Sequence, residues 1–379
     1  MADLKELRVE IDKIDEELVK LFVRRMEISE EVAEYKREND LPILNKSRER
    51  EVLDLAASRS GKYEQYTYQL FNNLMELSKA RQQELYPKPG KVLDVINAAK
   101  ANMKDVFPKT GLVACQGVEG ANSQAACDKL LPRGHIVYVK TFEAVFEAVS
   151  SGLCTFGVLP IENSSNGTVR GVYDLIQQKN FHIVRALTLP IRHELLAKKG
   201  AKLSDIKEIY SHEQALGQCS NYLSALEGVK LVPCANTAVA AKMVQESGRS
   251  DIAAISSHDC AELYGLSVIA EKIQNADNNF TRFICIAKDP VVYAGANRIN
   301  VMFVCDNRPG ALKSVLTRVA ASGVNMTKLE SCPQLGKTYD FVFFMELDAS
   351  VYEQGIPEML SELESMCSQF TFLGTYTVD

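Results

Sequence analysis

Asn278-Asn279-Phe280-Thr281-Arg282-Phe283 puts a hydroxyl beside a guanidinium at the head of an apolar run that continues through Ile284, Cys285 and Ile286. The run reads as a buried strand with a polar start. By the two-residue alternation of a strand, Phe280, Arg282, Ile284 and Ile286 share one side, and Thr281, Phe283 and Cys285 the other. An arginine among apolar neighbours calls for an anion. The plain alternative is an edge strand, with Thr281 present as a β-former and Arg282 reaching solvent.

A chain of 379 residues exceeds one ordinary core and predicts two or three domains. Lys and Arg number 43 against 49 Asp and Glu, a net charge of −6, so no broad polyanion-binding surface is expected and nucleic acid is excluded as a partner. The ten cysteines lie singly from Cys115 to Cys367 without a CxxC pair, which predicts reduced thiols in a cytoplasmic protein. Met1-Ala2-Asp3-Leu4-Lys5-Glu6 lacks the basic start and apolar core of a signal peptide, and no run approaches a membrane span. The histidines sit apart, without metal-ligand spacing, so neither a metal nor a cofactor is expected.

From Leu4 a heptad runs through Leu4, Ile11, Leu18, Arg25 and Val32, with Leu7, Ile14, Leu21, Ile28 and Tyr35 as its second series. This predicts a long helix with a packing seam. Arg25 fills a slot the pattern reserves for an apolar residue, where an unpaired cation is costly, so it should meet an anion. On an ideal helix Arg25 and Lys36 point within about 20° of each other and stand about 16 Å apart along the axis, within reach of one small ligand. Arg8 lies about 26 Å below Arg25 and must serve a different site, unless an antiparallel helix from a second subunit carries it there. Pro42 ends the helix, Asn45 or Ser47 caps the next, with Arg48 and Glu49, and a third over about 66–85 sets Ser78 and Gln82 one turn apart.

These residues resemble the all-helical chorismate mutase family, in the form fused to prephenate dehydratase in bacterial bifunctional enzymes. The resemblance implies that Arg25 and Arg48, with Arg8 of the partner subunit, hold the substrate carboxylates. It implies that Lys36 and Gln82 donate to the ether oxygen, that Glu49 binds the ring hydroxyl and that Ser78 is an accessory contact. Asn45 stands where the family often has Asp. A pericyclic rearrangement needs no nucleophile, only a held conformation and fixed donors for the developing negative oxygen.

Tyr86-Pro87-Lys88-Pro89-Gly90 reads as a boundary, and 91–107 as a further helix ending at Pro108. Beyond Gly111, short apolar runs alternate with helix-period segments, an α/β architecture. Strands are expected at 112–115, 135–139, 156–159, 183–187, 206–210, 231–233, 252–255 and 283–287. A strand, a capping Thr141 and an Ala/Val-rich helix lead to Phe156-Gly157-Val158; a strand, Thr237 and a second such helix lead to Ile252-Ala253-Ala254. The repetition predicts two similar lobes with a cleft between them.

Polar residues gather at the strand ends: Pro160-Ile161-Glu162-Asn163-Ser164 with Gly167-Thr168-Val169, and Ser211-His212-Glu213-Gln214 with Gln218-Cys219. With Thr281-Arg282-Phe283 they resemble the prephenate dehydratase family over about 110–288, which implies a two-lobed, periplasmic-binding-protein-like fold. Ala121 and Asn122 depart from the Ser/Thr and aromatic usual in the family's Gly117-Val118-Glu119-Gly120 loop. The resemblance implies that prephenate loses carbon dioxide and its ring hydroxyl to give phenylpyruvate. Thr281 then donates toward the leaving hydroxyl and Arg282 holds a carboxylate. Glu162, Asn163, Ser164, Ser211, Gln218 and Phe283 line the cleft.

Residues 298–379 read as βαββαβ, a ferredoxin-like unit. Arg308-Pro309-Gly310-Ala311-Leu312 and Leu329-Glu330-Ser331-Cys332-Pro333 resemble the ACT regulatory domain of these dehydratases, which implies a phenylalanine site including Gly310, Ala311, Leu312, Glu330 and Ser331. Cys332 replaces the family's usual arginine.

The expectation is a cytoplasmic enzyme of phenylalanine biosynthesis with three domains, 1–88, 110–288 and 298–379. It acts on chorismate and prephenate without a cofactor, answers to phenylalanine, and forms a homodimer or larger assembly with no membrane partner. No GxGxxG follows a strand, which disfavours an NAD-dependent dehydrogenase. A non-catalytic aromatic-acid sensor is the rival, and it has no chemical use for Thr281, Lys36 and Gln82.

Overall fold

The computed structural model describes residues 3–41, 45–86, 90–306, 310–337 and 340–379. Pro42, the Pro87-Lys88-Pro89 linker, Arg308, Pro309 and Tyr339 lie outside the described residues. The chain divides into two compact units, Met1–Asn97 with Val301–Phe372, and Ala98–Asn300 with Leu373–Asp379.

The first unit opens with α1 (Leu4–Glu38), α2 (Lys46–Ser58), α3 (Glu64–Leu85) and α4 (Lys91–Ala101). Asp3 caps α1, and Asn45, not Ser47, caps α2 by accepting from the Arg48 amide at 3.1 Å. The α2 and α3 helices pack through Leu53, Ala57, Met75 and Ala80, and α1 lies on α3, burying Ser29 and Ala33. The heptad seam of α1 stays open within one chain: Leu4, Leu18 and Leu21 are 61%, 53% and 68% exposed. A helix keeps such a stripe in water only at a large hydrophobic cost.

The rest of this unit is β12 (Arg298–Val304), α12 (Ala311–Ala321), β13 (Asn325–Pro333), β14 (Phe341–Asp348), α13 (Ile356–Met366) and β15 (Gln369–Tyr376). The spatial order β13-β14-β12-β15 is that of the βαββαβ unit read from the sequence. Its two helices meet through a buried Arg318–Glu362 ion pair, and both pack on α3. Leu329 to Pro333 completes β13, and α13 starts at Ile356, after Gly355 takes a φ of +83°.

In the second unit β1 (Leu112–Gln116), α5 (Asn122–Leu130), β2 (His135–Val139), α6 (Phe142–Ser150), β3 (Phe156–Asn163), β4 (Gly167–Thr168), α7 (Arg170–Ile176), β5 (His182–Pro190) and β11 (Phe280–Ala287) make one lobe. Its sheet runs β2-β1-β3-β11-β5, with β4 on β3. The other lobe holds β6 (Glu194–Ala197), β7 (Glu208–His212), α8 (Glu213–Gln218), α9 (Ser220–Ser224), β8 (Lys230–Cys234), α10 (Thr237–Glu246), β9 (Ile252–Ser256), α11 (His258–Tyr264) and β10 (Ser267–Ala270), in the order β10-β6-β9-β7-β8. The chain crosses between lobes twice, after β5 and before β11, and the crossings are tied together: the Ile191 amide donates to the Asn279 carbonyl at 2.8 Å, and the Ile273 amide to that of His193 at 3.0 Å.

β11 is hydrogen-bonded to β3 on one side and β5 on the other, which removes the edge-strand alternative. Three expectations need correction. The helix from Lys91 stops at Ala101, because Phe107 turns into the core against Phe156 and Tyr293, ring centroids 5.4 and 4.8 Å away. The second lobe's Ala/Val-rich helix is capped by Asn236, which accepts from the Val239 amide at 2.7 Å, so Thr237 is its first helical residue. The antiparallel β6 and β10 were not expected at all.

Candidate functional site

The polar group around Thr281 depends on an irregular register. On β3, Asn163 opposes Thr281 and Glu162 opposes Arg282, but Phe283 opposes Pro160, which leaves Ile161 as an extra residue. Such a bulge re-aims the side chains beside it. It turns the Asn163 amide onto Thr281: Nδ2 donates to Thr281 Oγ1 at 2.9 Å, to Asn279 Oδ1 at 2.9 Å and to the Phe280 carbonyl at 3.1 Å. Asn163 Oδ1 accepts from the backbone amides of Ser165 and Asn166, both at 3.0 Å. Backbone amides only donate, so the orientation of the Asn163 side chain is fixed.

Gln218, the last residue of α8, reaches this group from the other lobe: its Oε1 accepts from Asn279 Nδ2 at 3.0 Å and meets His193 Nε2 at 2.8 Å. Asn279 and His193, one on each crossing, are 3% and 4% exposed. Burial pulls the His193 pKa below its ordinary value. Neither residue was expected at the site. Asn279 stands within the stretch that opened the reading, yet two adjacent asparagines before a strand look like turn residues.

Thr281, Arg282, Glu162, Asn163 and Gln218 are each partly exposed at this place, with Arg282 directly across from Glu162. Three expected lining residues hold the frame instead. Phe283 is 1% exposed in the lobe's core, on the same face of β11 as Cys285. The fully buried Ser211 hydroxyl donates to the Ile255 carbonyl at 2.8 Å, tying β7 to β9. Ser164 clamps β3 to β11, donating to the Asn278 carbonyl at 2.7 Å and accepting from the Phe280 amide at 2.9 Å. The Gly120 loop meets α11, where Tyr264 Oη donates to the Glu119 carbonyl at 2.6 Å and Cys260 Sγ to that of Gly120 at 3.1 Å.

Among the helices, α1 and α3 bring Arg25, Ser78 and Gln82 together. Arg25 Nη1 donates to Ser78 Oγ at 2.5 Å and to the Leu74 carbonyl at 3.1 Å, both neutral, where an anion was expected. Burial draws the Arg25 pKa down. Gln82 Nε2 donates to Ser29 Oγ at 2.8 Å, a serine the sequence reading did not single out, and Gln82 Oε1 is buried with no hydrogen-bond partner among the described residues. Burial also lowers the Lys36 pKa, opposed by the charge of Glu49. Glu49 pairs with Lys79 at 3.3 Å, Arg48 is exposed beside Glu51 at 3.1 Å, and Arg8 is exposed at the far end of α1. In the βαββαβ unit Gly310 starts α12 with a φ of +83°; Ala311 is buried, Leu312 and Glu330 are half-buried and Ser331 is exposed.

Comparison with known proteins places the prephenate dehydratase family model on residues 113–291 and the chorismate mutase type II model on residues 7–83. The bifunctional chorismate mutase/prephenate dehydratase of Aquifex aeolicus is 30% identical over 381 residues, covering 99% of this chain and 98% of that one. The chloroplastic arogenate dehydratase/prephenate dehydratase 2 of Arabidopsis thaliana is 37% identical over 279 residues, 70% of this chain and 73% of that one. The crystal structure of prephenate dehydratase in complex with L-Phe from Arthrobacter aurescens superposes with a TM-score of 0.65 at 29% identity, over 70% of this chain and 89% of that one.

Proposed function

The chain belongs to the bifunctional chorismate mutase/prephenate dehydratase family, and from that premise we propose which residues carry each reaction. It is an enzyme of phenylalanine biosynthesis that rearranges chorismate to prephenate and converts prephenate to phenylpyruvate.

In the dehydratase, Thr281 donates to the departing ring hydroxyl. The observation that carries this is the 2.9 Å bond from Asn163 Nδ2 to Thr281 Oγ1, which uses the threonine oxygen as acceptor and leaves its proton to point elsewhere. A threonine is too weak an acid to act unaided, so it orients and hydrogen-bonds while aromatisation drives the loss of carbon dioxide and hydroxide. Arg282 holds a carboxylate, and Glu162 and Gln218 line the same cleft. Ser164, Ser211 and Phe283 support it from behind.

In the mutase, Arg25 takes a substrate carboxylate, since its acceptors among the described residues are a hydroxyl and a carbonyl, both neutral. Lys36 and Gln82 donate to the ether oxygen. For Gln82 this requires the amide orientation in which Oε1 accepts from Ser29 and the NH2 takes the place of the unpartnered oxygen. Ser78 steadies Arg25, Glu49 binds the ring hydroxyl and Arg48 joins Arg25 in holding the substrate carboxylates. A second copy of the chain, laid antiparallel along the open seam of α1, brings its Arg8 to this site and covers the exposed leucines.

Residues 1–88, 110–288 and 298–379 are the mutase, dehydratase and ACT segments. The last binds phenylalanine through Gly310, Ala311, Leu312, Glu330 and Ser331; the relative crystallised with L-Phe supports this effector. The protein works in the cytoplasm; among the described residues no helix is long and apolar enough to cross a membrane. A coupled assay from chorismate to phenylpyruvate, with and without phenylalanine, tests activities and regulation together. Uninhibited turnover at saturating phenylalanine would remove the effector role.

A further inference from the structure

Five side chains form one hydrogen-bonded line, His193–Gln218–Asn279–Asn163–Thr281, across both lobes and both crossings. Its polarity follows from one end. Two backbone amides hold Asn163 Oδ1, so Nδ2 must be the group that faces Thr281 and Asn279. Asn279 therefore presents Oδ1 to Asn163 and its NH2 to Gln218. Gln218 must then present Oε1, and since that oxygen can only accept, His193 must present an Nε2–H. Each amide can be turned only if all of them turn, and the backbone forbids that at Asn163.

We propose that Asn279 and His193 are positioning residues of the dehydratase: the backbone fixes which way the Asn163 amide faces, and they hold Gln218 and the Asn279 oxygen in place against Asn163 Nδ2, so that this nitrogen is aligned on Thr281 Oγ1 and the hydroxyl is aimed at the substrate. The placement on the crossings matters. His193 follows β5, its amide donating to Gln274 Oε1 at 3.1 Å, and Asn279 precedes β11, so Gln218 Oε1 is gripped by both strands that join the lobes. The line therefore holds its alignment only while the crossings keep their mutual register, which couples the lobe arrangement to the direction of one hydroxyl. This rests on the assignment of Thr281 above.

The test uses the full-length protein, with its own chorismate mutase activity as the control for folding. Asn279→Ala removes the link; misaimed groups cost about 100-fold, so the dehydratase kcat should fall by that order while KM stays within about twofold and the mutase is unchanged. Asn279→Asp keeps the acceptor for Asn163 but loses the donor to Gln218, and should recover part of the loss. In that variant Gln218 must turn its NH2 toward the carboxylate and toward His193. Nitrogen-15 NMR of the imidazoles should thus find His193 as the Nε2–H tautomer in the wild type and as Nδ1–H in Asn279→Asp, a change that an asparagine outside the line would not cause, while the kcat loss at unchanged KM reports the aim of Thr281. A wild-type Nδ1–H tautomer, or a dehydratase kcat within about twofold of wild type in Asn279→Ala, overturns the proposal. If Asn279→Ala loses the mutase as well, the variant has unfolded and the two tautomers decide. Thr281→Val separates the two readings: activity retained there sinks the threonine role, whereas an inactive Thr281→Val beside a fully active Asn279→Ala sinks only the line.

Discussion

The two polar groups of this chain differ in how much of each one chain supplies. Around Thr281 every hydrogen bond of the line closes within a single molecule, across sequence separations of 25, 61, 116 and 118 residues. Along α1 the opposite holds: among the described residues Arg25 meets a hydroxyl and a carbonyl, Arg8 lies exposed, and the apolar seam faces water. A globular pair of lobes can bury a polar network with its own backbone, whereas the long α1 packs on α3 and leaves its apolar seam for another molecule. The dehydratase should therefore respond to point changes inside one chain, and the mutase to changes in how chains meet.

The largest effect expected is at Thr281. Thr281→Val should abolish most phenylpyruvate formation, by about 100- to 1,000-fold if its donor is worth what single transition-state donors are worth, and should spare the mutase. Steady-state assays of both activities on one preparation check this; dehydratase activity within about tenfold of wild type would make the assignment wrong.

Next is a test of the shared mutase site. Arg8→Ala and Arg25→Ala should each lose about 100-fold or more of mutase activity, yet mixing and reassociating them should restore roughly a quarter of it, since half of the pairs formed are mixed and each has one intact site. No recovery on mixing, or a monomer at micromolar concentration in sedimentation, removes the shared site and with it half of the contrast.

A smaller change should touch the dehydratase unit alone. Gly120 holds a φ of +88°, and a Cβ there would stand 2.8 Å from Cys260 Sγ. Gly120→Ala should therefore cost about 1–2 kcal/mol, read as earlier thermal loss of dehydratase than of mutase. Equal thermal loss of both activities would show that the two units do not unfold separately.

The smallest effect is with pH. Burial lowers the pKa of His193 from 6.5, so the unfolded chain binds a proton there more readily than the folded one. The stability this gives is present above about 6.5 and is lost as pH falls toward the depressed folded value. Denaturant titrations between pH 7 and pH 5 should show a shallower acid decline in His193→Gln; parallel curves would mean that the imidazole is not held neutral in the fold.

Much of this was legible in the residues. The 3.5-residue period of α1 and the polar caps of α2 and α6 are local patterns, and the structure places them where periodicity and cap chemistry put them. The motifs that hold Asn163, Gln218 and Thr281, grouped from the sequence, are joined through hydrogen bonds to one another and to Asn279. Other features were not legible. Glu194-Leu195-Leu196-Ala197 is too short to show alternation, and it is a strand because β9 and β10 pair with it. Asn236 outcompetes Thr237 as a cap because the helix begins one residue earlier than the second lobe's likeness to the first implied.

The sequence by itself determined the order of elements, the presence of a cationic helix face and a hydroxyl–guanidinium strand, and the family to which these point, because each is a property of residues close in the chain. Only the tertiary structure decided that Ser211 and Ser164 are spent on the frame, and that Asn279 and His193 stand in line with Thr281. The reason is that these partners lie far apart in the chain, 25, 61, 116 and 118 residues along the line from His193 to Thr281. Beside Thr281 the extra residue Ile161 on β3 also sets which β3 side chains turn toward it, and no local pattern in β11 carries that information.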